Sequence, residues 1–169
     1  MNIRSLTHAN WIEALSNRNV CPYDLIESLL EEGYKFMWHP LGFAMCRVAR
    51  RGKASIRVHV WPSHNRYQQT PAWLIHDHLF HLKSWVLAGE IKNQEYMIKP
   101  NGKDHVIYEA RYEGDCSTLN KTETYCSKFL TEKTVYSKGS VYEVAAGVFH
   151  ESQSISNKTT VTVCETFDE

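Results

Sequence analysis

Up to Gly33 apolar side chains recur at helical spacing, and from Phe43 onward the period shortens to that of strands. Thr7 to Ser16 sets Trp11, Ile12 and Leu15 on one helical face, with Thr7 as N-cap and Asn17 to Asn19 as a polar stop. Cys21-Pro22-Tyr23-Asp24 opens a second helix whose apolar face is Leu25, Ile26, Leu29 and Leu30, closed by Gly33. Residues 43–50, 55–61, 73–80, 83–89, 91–98, 105–112, 118–125, 129–136, 140–144, 148–155 and 159–166 then read as strands. Each is short, rich in β-branched or aromatic residues, and bounded by Gly, Pro, Asn, Asp or Ser. That many strands after a brief helical preface predict a mainly β fold, an antiparallel sandwich or barrel rather than alternating βαβ units. Residues 1–34 form the helical preface and 35–169 the barrel of one expected domain, with no repeat or linker to divide it. The longest polar stretch, 62–71, either overhangs a pocket mouth or is a plain solvated loop.

Composition narrows the partners. The 169 residues carry 19 basic and 19 acidic side chains, with 43% hydrophobic and 12% aromatic residues, enough for a substantial core. Zero formal net charge gives no support for a surface that gathers phosphate backbones or anionic lipid, so neither nucleic acid nor a membrane is an expected partner. Apolar stretches such as Trp73 to Ile75 fall far short of the ~20 residues of a membrane span. No signal-peptide pattern marks Met1 to Asn10, and a cytoplasmic location is expected. Five widely spaced cysteines without a CxxC pair predict reduced thiols, not a disulfide framework or a structural zinc site.

The nine histidines are unevenly placed: His59, His64, His76, His78 and His81 crowd into one stretch. On a strand over 73–80, His76 and His78 project from one face. Two imidazoles so placed suit a divalent metal, because burying both without one demands a separate hydrogen-bond partner for each ring nitrogen. A hydrogen-bonded or exposed pair is the plainer reading, and both stay open on these residues alone. His81 falls on the opposite face by the same alternation, and Asp77 and Glu151 likewise point away from the histidines beside them.

His76-Asp77-His78 through Gly89, taken with Gly139 through His150, resembles the two signature motifs of the cupin superfamily. The first such motif places HxH on a strand, a glutamate four or five positions later, and a glycine seven beyond it. Gly89 keeps that register with Leu82, which stands where the glutamate would be, or Lys83 at the longer spacing, and neither replaces a carboxylate. Thr70 replaces the glycine that opens the motif. The second motif is matched by Gly139, Gly147 and His150, with Ala145 where proline is common. The resemblance implies a double-stranded β-helix, a cupin-like jelly-roll barrel, whose interior holds a divalent transition metal on His76, His78 and His150. Without the carboxylate the centre is similar to that of thiol dioxygenases and certain ring- or carbon–carbon-cleaving dioxygenases. Those hold Fe(II) on three histidines and leave positions for substrate and dioxygen.

Arg57, His59 and Trp61 share one face of the strand over 55–61. If that face is inward, Arg57 clamps a substrate carboxylate and His59 serves as acid or base, which makes them the candidate catalytic residues. The alternative is an outward polar face with Ile56, Val58 and Val60 in the core. Tyr96, Tyr108 and Tyr142 either line the cavity or simply pack.

The expected function is thus an Fe(II) dioxygenase acting on a small thiol, enol or carboxylate with dioxygen as co-substrate. Two other classes are compatible with the missing glutamate: a cupin that binds a small ligand or metal without turnover, and a metal-dependent isomerase, decarboxylase or lyase. Sheet edges need cover, for which a homodimer is one device, and the N-terminal helices either cover an edge or cap the barrel.

Overall fold

The computed structural model of the chain describes residues 3–64, 67, 69–70, 72–113 and 116–168. After a turn of 3-10 helix at Ile3–Ser5 come α1 (His8–Ser16) and α2 (Pro22–Glu31). Thr7 caps α1 reciprocally: its hydroxyl accepts from the Asn10 N–H at 3.2 Å, while Asn10 Oδ1 accepts from the Thr7 N–H at 3.0 Å. Pro22 starts α2, where its missing N–H costs nothing. Trp11, Leu15, Leu25 and Leu29 are buried, but Leu30 is 60% exposed. The apolar stripe of α2 is therefore narrower than expected, resting on the i, i+4 pair Leu25 and Leu29 with Ile26 at its margin.

Nine strands follow: β1 (Met37–His39), β2 (Phe43–Arg51), β3 (Ala54–Trp61), β4 (His81–Ala88), β5 (Glu90–Glu113), β6 (Cys116–Ser137), β7 (Val141–Val144), β8 (Phe149–Ser154) and β9 (Thr160–Phe167). They form two antiparallel sheets, one of six strands in the order β1-β2-β3-β9-β4-β7 and one of three in the order β6-β5-β8. An inner core joins the sheets through Phe43, Trp61, Val86, Ile91, Tyr142 and Val144. An outer core packs the helices onto the six-stranded sheet, setting Trp11, Leu15, Leu25 and Leu29 against Cys46, Val48, Ile56, Val58 and Val163. The helices thus cover a sheet face, neither an edge nor an end of the barrel.

With both faces of β3 covered, polar-out alternation has no place there. Ile56 and Val58 face the helices, whereas Arg57, His59 and Trp61 turn into the barrel. β9 behaves in the same way, with Val161 and Val163 outward and Thr160, Thr162, Cys164 and Thr166 inward.

Three expectations about strands need correction. Residues 73–80 are not a strand; their backbone pairing is an isolated bridge between His76 and His150, next to a Gly147 N–H bond to the His78 carbonyl at 2.8 Å. The strand expected over 148–155 is present as β8, paired with β5 from Ile91↔Ser154 to Tyr96↔Phe149, and it meets the histidine segment at His150. The four short strands over 91–98, 105–112, 118–125 and 129–136 are two long ones, β5 and β6, in a single hairpin. Pro100-Asn101-Gly102 reads as a boundary but forms a bulge, with Pro100 and His105 both opposite Cys126. There a Cβ on Gly102 would overlap the backbone of Cys126 and Ser127. Finally, β1 has no apolar alternation and escapes sequence patterning altogether.

Gly89 explains why a glycine ends the first motif. It has φ +71° at the corner where the chain leaves one sheet for the other, and a Cβ there would lie 2.8 Å from the Thr160 Cα. Of the polar loop, whose expected place over a pocket mouth or in solvent falls partly on them, residues 65, 66, 68 and 71 lie outside the described residues. Tyr67 packs edge-on against Trp38, and the Gln69 N–H donates to the Pro40 carbonyl at 2.9 Å. Among the described residues no helix is long and apolar enough to cross a membrane.

Candidate metal centre

His76 and His78 come from the irregular segment before β4, and His150 from the start of β8. The backbone bridge between His76 and His150 draws the two segments together across the barrel. One nitrogen from each of the three rings lies within 4.8 Å of the others. The ring centroids are 4.5 Å apart for His76 and His150, 4.8 Å for His76 and His78, and 5.0 Å for His78 and His150.

Two of the rings are oriented by the same local contact. His76 Nδ1 lies 2.9 Å from the Leu74 carbonyl and His150 Nδ1 lies 3.1 Å from the Val148 carbonyl, in each case two residues upstream. An Nδ1–H that donates there leaves the lone pair on Nε2 available to a metal. Burial, followed by the neighbouring imidazoles, pushes His78 down to about 2 and His150 down to about 4, and burial lowers His76 as well. All three rings are neutral at physiological pH. Three converging neutral nitrogen donors, two of them held in one tautomer, fit a divalent transition metal. Among the described residues no carboxylate joins the cluster.

The trio opens on a cavity of about 70 Å³ inside the barrel. Leu82 lines it, so an apolar side chain occupies the place of the motif's glutamate. Arg57 lines it too; its Nε–H donates to Ser55 Oγ at 3.2 Å, and its guanidinium sits 5.3 Å from the Phe80 ring centre. Phe80 in turn stacks on His78 at 4.7 Å, which places a cation one ring away from the trio. His59 Nδ1 is 3.5 Å from Cys164 Sγ, and burial pushes His59 down to about 3 and the Cys164 thiol up. Phe43 braces the wall, with His39, Trp61 and His59 at ring distances of 4.3, 4.3 and 4.7 Å.

All five residues singled out in the sequence therefore line one cavity: His76, His78, His150, Arg57 and His59. Of the tyrosines only Tyr142 reaches it. Tyr96 donates to Glu151 at 3.0 Å, and Tyr108 stacks on Trp73. His81 stacks on Phe167 and borders a separate cavity of about 320 Å³ that shares only Leu82 with the first. Sequence reading missed His39 and Cys164. His39 sits on the three-residue β1, accepts from the Leu41 N–H at 3.2 Å through Nδ1, and is pushed down to about 4, chiefly by burial. Nothing in its surroundings signals that role. Cys164 was discoverable from the alternation Thr160, Thr162, Cys164, Thr166 against Val161 and Val163.

No protein-family model matches the chain, and no curated protein matches it. Among solved structures it is similar to the Drosophila melanogaster CENP-C cupin domain, at 14% identity and TM-score 0.46, covering 78% of this chain and 74% of that one. It is similar to the Schizosaccharomyces pombe Cnp3 cupin domain at 8% identity and TM-score 0.48, covering 82% and 72% of the two chains. An oxalate decarboxylase from Bacillus subtilis matches at 9% identity and TM-score 0.47, over 81% of this chain and 28% of that one. At such values the likenesses carry no information about activity.

Proposed function

The chain has a cupin-type barrel with a candidate site for a divalent metal, and from that premise we propose a non-haem Fe(II) dioxygenase acting on a small organic anion. His76, His78 and His150 would hold the ion. The observation that carries the reading is the donor set: three neutral imidazoles with no carboxylate among them. Bound there, Fe(II) would keep its positive charge and would supply the chemistry that joins an anionic substrate to dioxygen.

The protein's own residues supply orientation and exclusion. Arg57 presents a fixed cation to the cavity and attracts the substrate's anionic group. Leu82 and Phe80 keep the wall beside the trio apolar and strengthen that attraction by keeping water out. His59, kept neutral by burial and with Nδ1 3.5 Å from Cys164 Sγ, positions the substrate from β3.

The test starts with elemental analysis of protein purified without a metal-binding tag. Anaerobic Fe(II) loading then precedes oxygen-uptake measurements with a panel of thiols, enols and carboxylates. Near one iron per chain and substrate-dependent uptake are expected. Metal without uptake would reduce the reading to ligand binding, isomerase or lyase chemistry, and failure to take up any metal would overturn it.

A further inference from the structure

The imidazoles around the cavity differ in where they carry their proton. His76 and His150 turn Nδ1 toward a carbonyl oxygen, which places the proton there and leaves a lone pair on Nε2. His39 does the opposite. Its Nδ1 accepts from the Leu41 N–H at 3.2 Å, and a backbone N–H can only donate, so Nδ1 carries no proton. An imidazolium has no lone pair to accept with, so the contact leaves a neutral ring whose one proton sits on Nε2. That Nε2–H has no hydrogen-bond partner among the described residues, yet it is not sealed in protein as His59 Nε2 and Trp61 Nε1 are.

His39 lines the same cavity as the trio, with its ring flat on Phe43 at 4.3 Å and 9°. Held at Nδ1 and on one ring face, it has little freedom to turn. A nitrogen that keeps its proton is no metal ligand, so His39 is a neutral N–H set beside metal-binding nitrogens. The cavity of about 70 Å³ admits a ligand of only a few heavy atoms. From these features we infer that His39 is a positioning residue for the metal's small anionic ligand, donating from Nε2–H to an acceptor atom of that ligand. Arg57 draws the anion in by charge, whereas a neutral donor on β1 adds direction and rejects equally small ligands that lack an acceptor there. The inference rests on the proposed metal centre to anchor the ligand, and not on the reaction proposed for it.

Two measurements test it. Two-bond proton–nitrogen-15 spectra of metal-free, full-length protein at neutral pH should show the His39 proton on Nε2, and those of His76 and His150 on Nδ1. A His39 proton on Nδ1 overturns the inference. Cobalt(II)-loaded protein is then titrated with sodium azide at constant ionic strength and followed by visible absorption. His39→Asn sets an oxygen where Nδ1 accepts from Leu41 and removes the distal N–H, so it should bind cobalt normally but azide about tenfold more weakly. His39→Gln returns an N–H to the distal position and should recover most of that affinity. A purely structural part for His39 predicts the reverse order, with His39→Asn unchanged and His39→Gln impaired, and that order overturns the inference. Loss of cobalt from His39→Asn would make His39 a ligand and overturns it as well. A protein that takes up no cobalt takes the inference down together with the metal centre. Oxygen uptake enters neither measurement, so failure of the donor and failure of the dioxygenase reading are told apart.

Discussion

His76 and His150 exchange both of their backbone hydrogen bonds, at 3.0 and 2.8 Å, so two members of the histidine trio are also partners in a β-bridge. The bridge joins segments separated by the whole β5–β6 hairpin. Side-chain convergence is therefore a product of folding that the metal need not impose, unlike a site whose ligands meet only around the ion.

His76→Ala, His78→Ala and His150→Ala should each abolish stoichiometric metal while leaving the circular dichroism spectrum unchanged. The loss in affinity should exceed the ~100-fold that follows removal of a partner outside the ligand set. Metal content after loading and desalting measures it, and a His150→Ala protein that keeps one ion per chain would remove His150 from the site.

Metal-free protein should lose stability in mild acid. His39, His59, His78 and His150 are pushed down to about 4, 3, 2 and 4, whereas the unfolded chain titrates its histidines near 6.5. Below that value the unfolded state binds more protons, so stability present above pH ~6.5 is lost as pH falls toward the folded values. The loss is on the order of 1 kcal/mol per histidine per pH unit. Urea midpoints at a series of pH values from 8 to 5 should be flat at the top and fall steadily below about 6.5. A flat profile throughout would contradict neutral, buried imidazoles.

Gly89→Ala should be among the most damaging single changes at a turn. It combines positive φ with collision against Thr160, and should cost about 3 kcal/mol. Gly52→Ala is the control, with φ +58° but nothing within 4 Å of the added methyl, and should cost about 1 kcal/mol. Equal midpoints in thermal melts of the two variants would show that sheet switching does not depend on the close approach at Thr160.

Leu82→Glu returns a carboxylate to the place where the motif has one. In metal-free protein it should destabilise by on the order of 2 kcal/mol, because a polar group enters an apolar wall. With metal present the order should reverse: affinity rises as the carboxylate becomes a ligand, and any oxygen uptake falls as a position is taken. Calorimetric titration with Zn(II) and the oxygen electrode measure the two effects, and unchanged metal affinity would place Leu82 outside ligand range.

Much of this was readable in the chain. Thr7 and Asn10 announce the start of α1, and the spacings among His76, His78, Gly89, Gly139, Gly147 and His150 anticipate the barrel and its trio. What escaped has physical causes. Alternation predicts one wet face for β3, yet α1 and α2 cover its outer side, so both faces are buried and Arg57 and His59 turn inward. Pro100 and Gly102 normally end strands, but a bulge absorbs them when the partner strand runs on past Cys126. His39 is brought in by a strand of three residues with no pattern of its own.

The β5–β6 hairpin also divides the molecule by how readily its parts open. From Ile91 to Tyr96 β5 is flanked on both sides, but beyond Tyr96, among the described residues, only β6 pairs with it. A two-stranded ribbon in water is marginally stable by itself. Amide protons in the outer ribbon should therefore exchange with solvent through local opening, while those of β3 and β9 wait for global unfolding. The stack of Tyr108 on Trp73 ties that looser ribbon to the segment that carries His76. Opening of the ribbon should therefore free Trp73 from Tyr108 and loosen one edge of the histidine segment, so that exchange at the site follows the hairpin's own breathing.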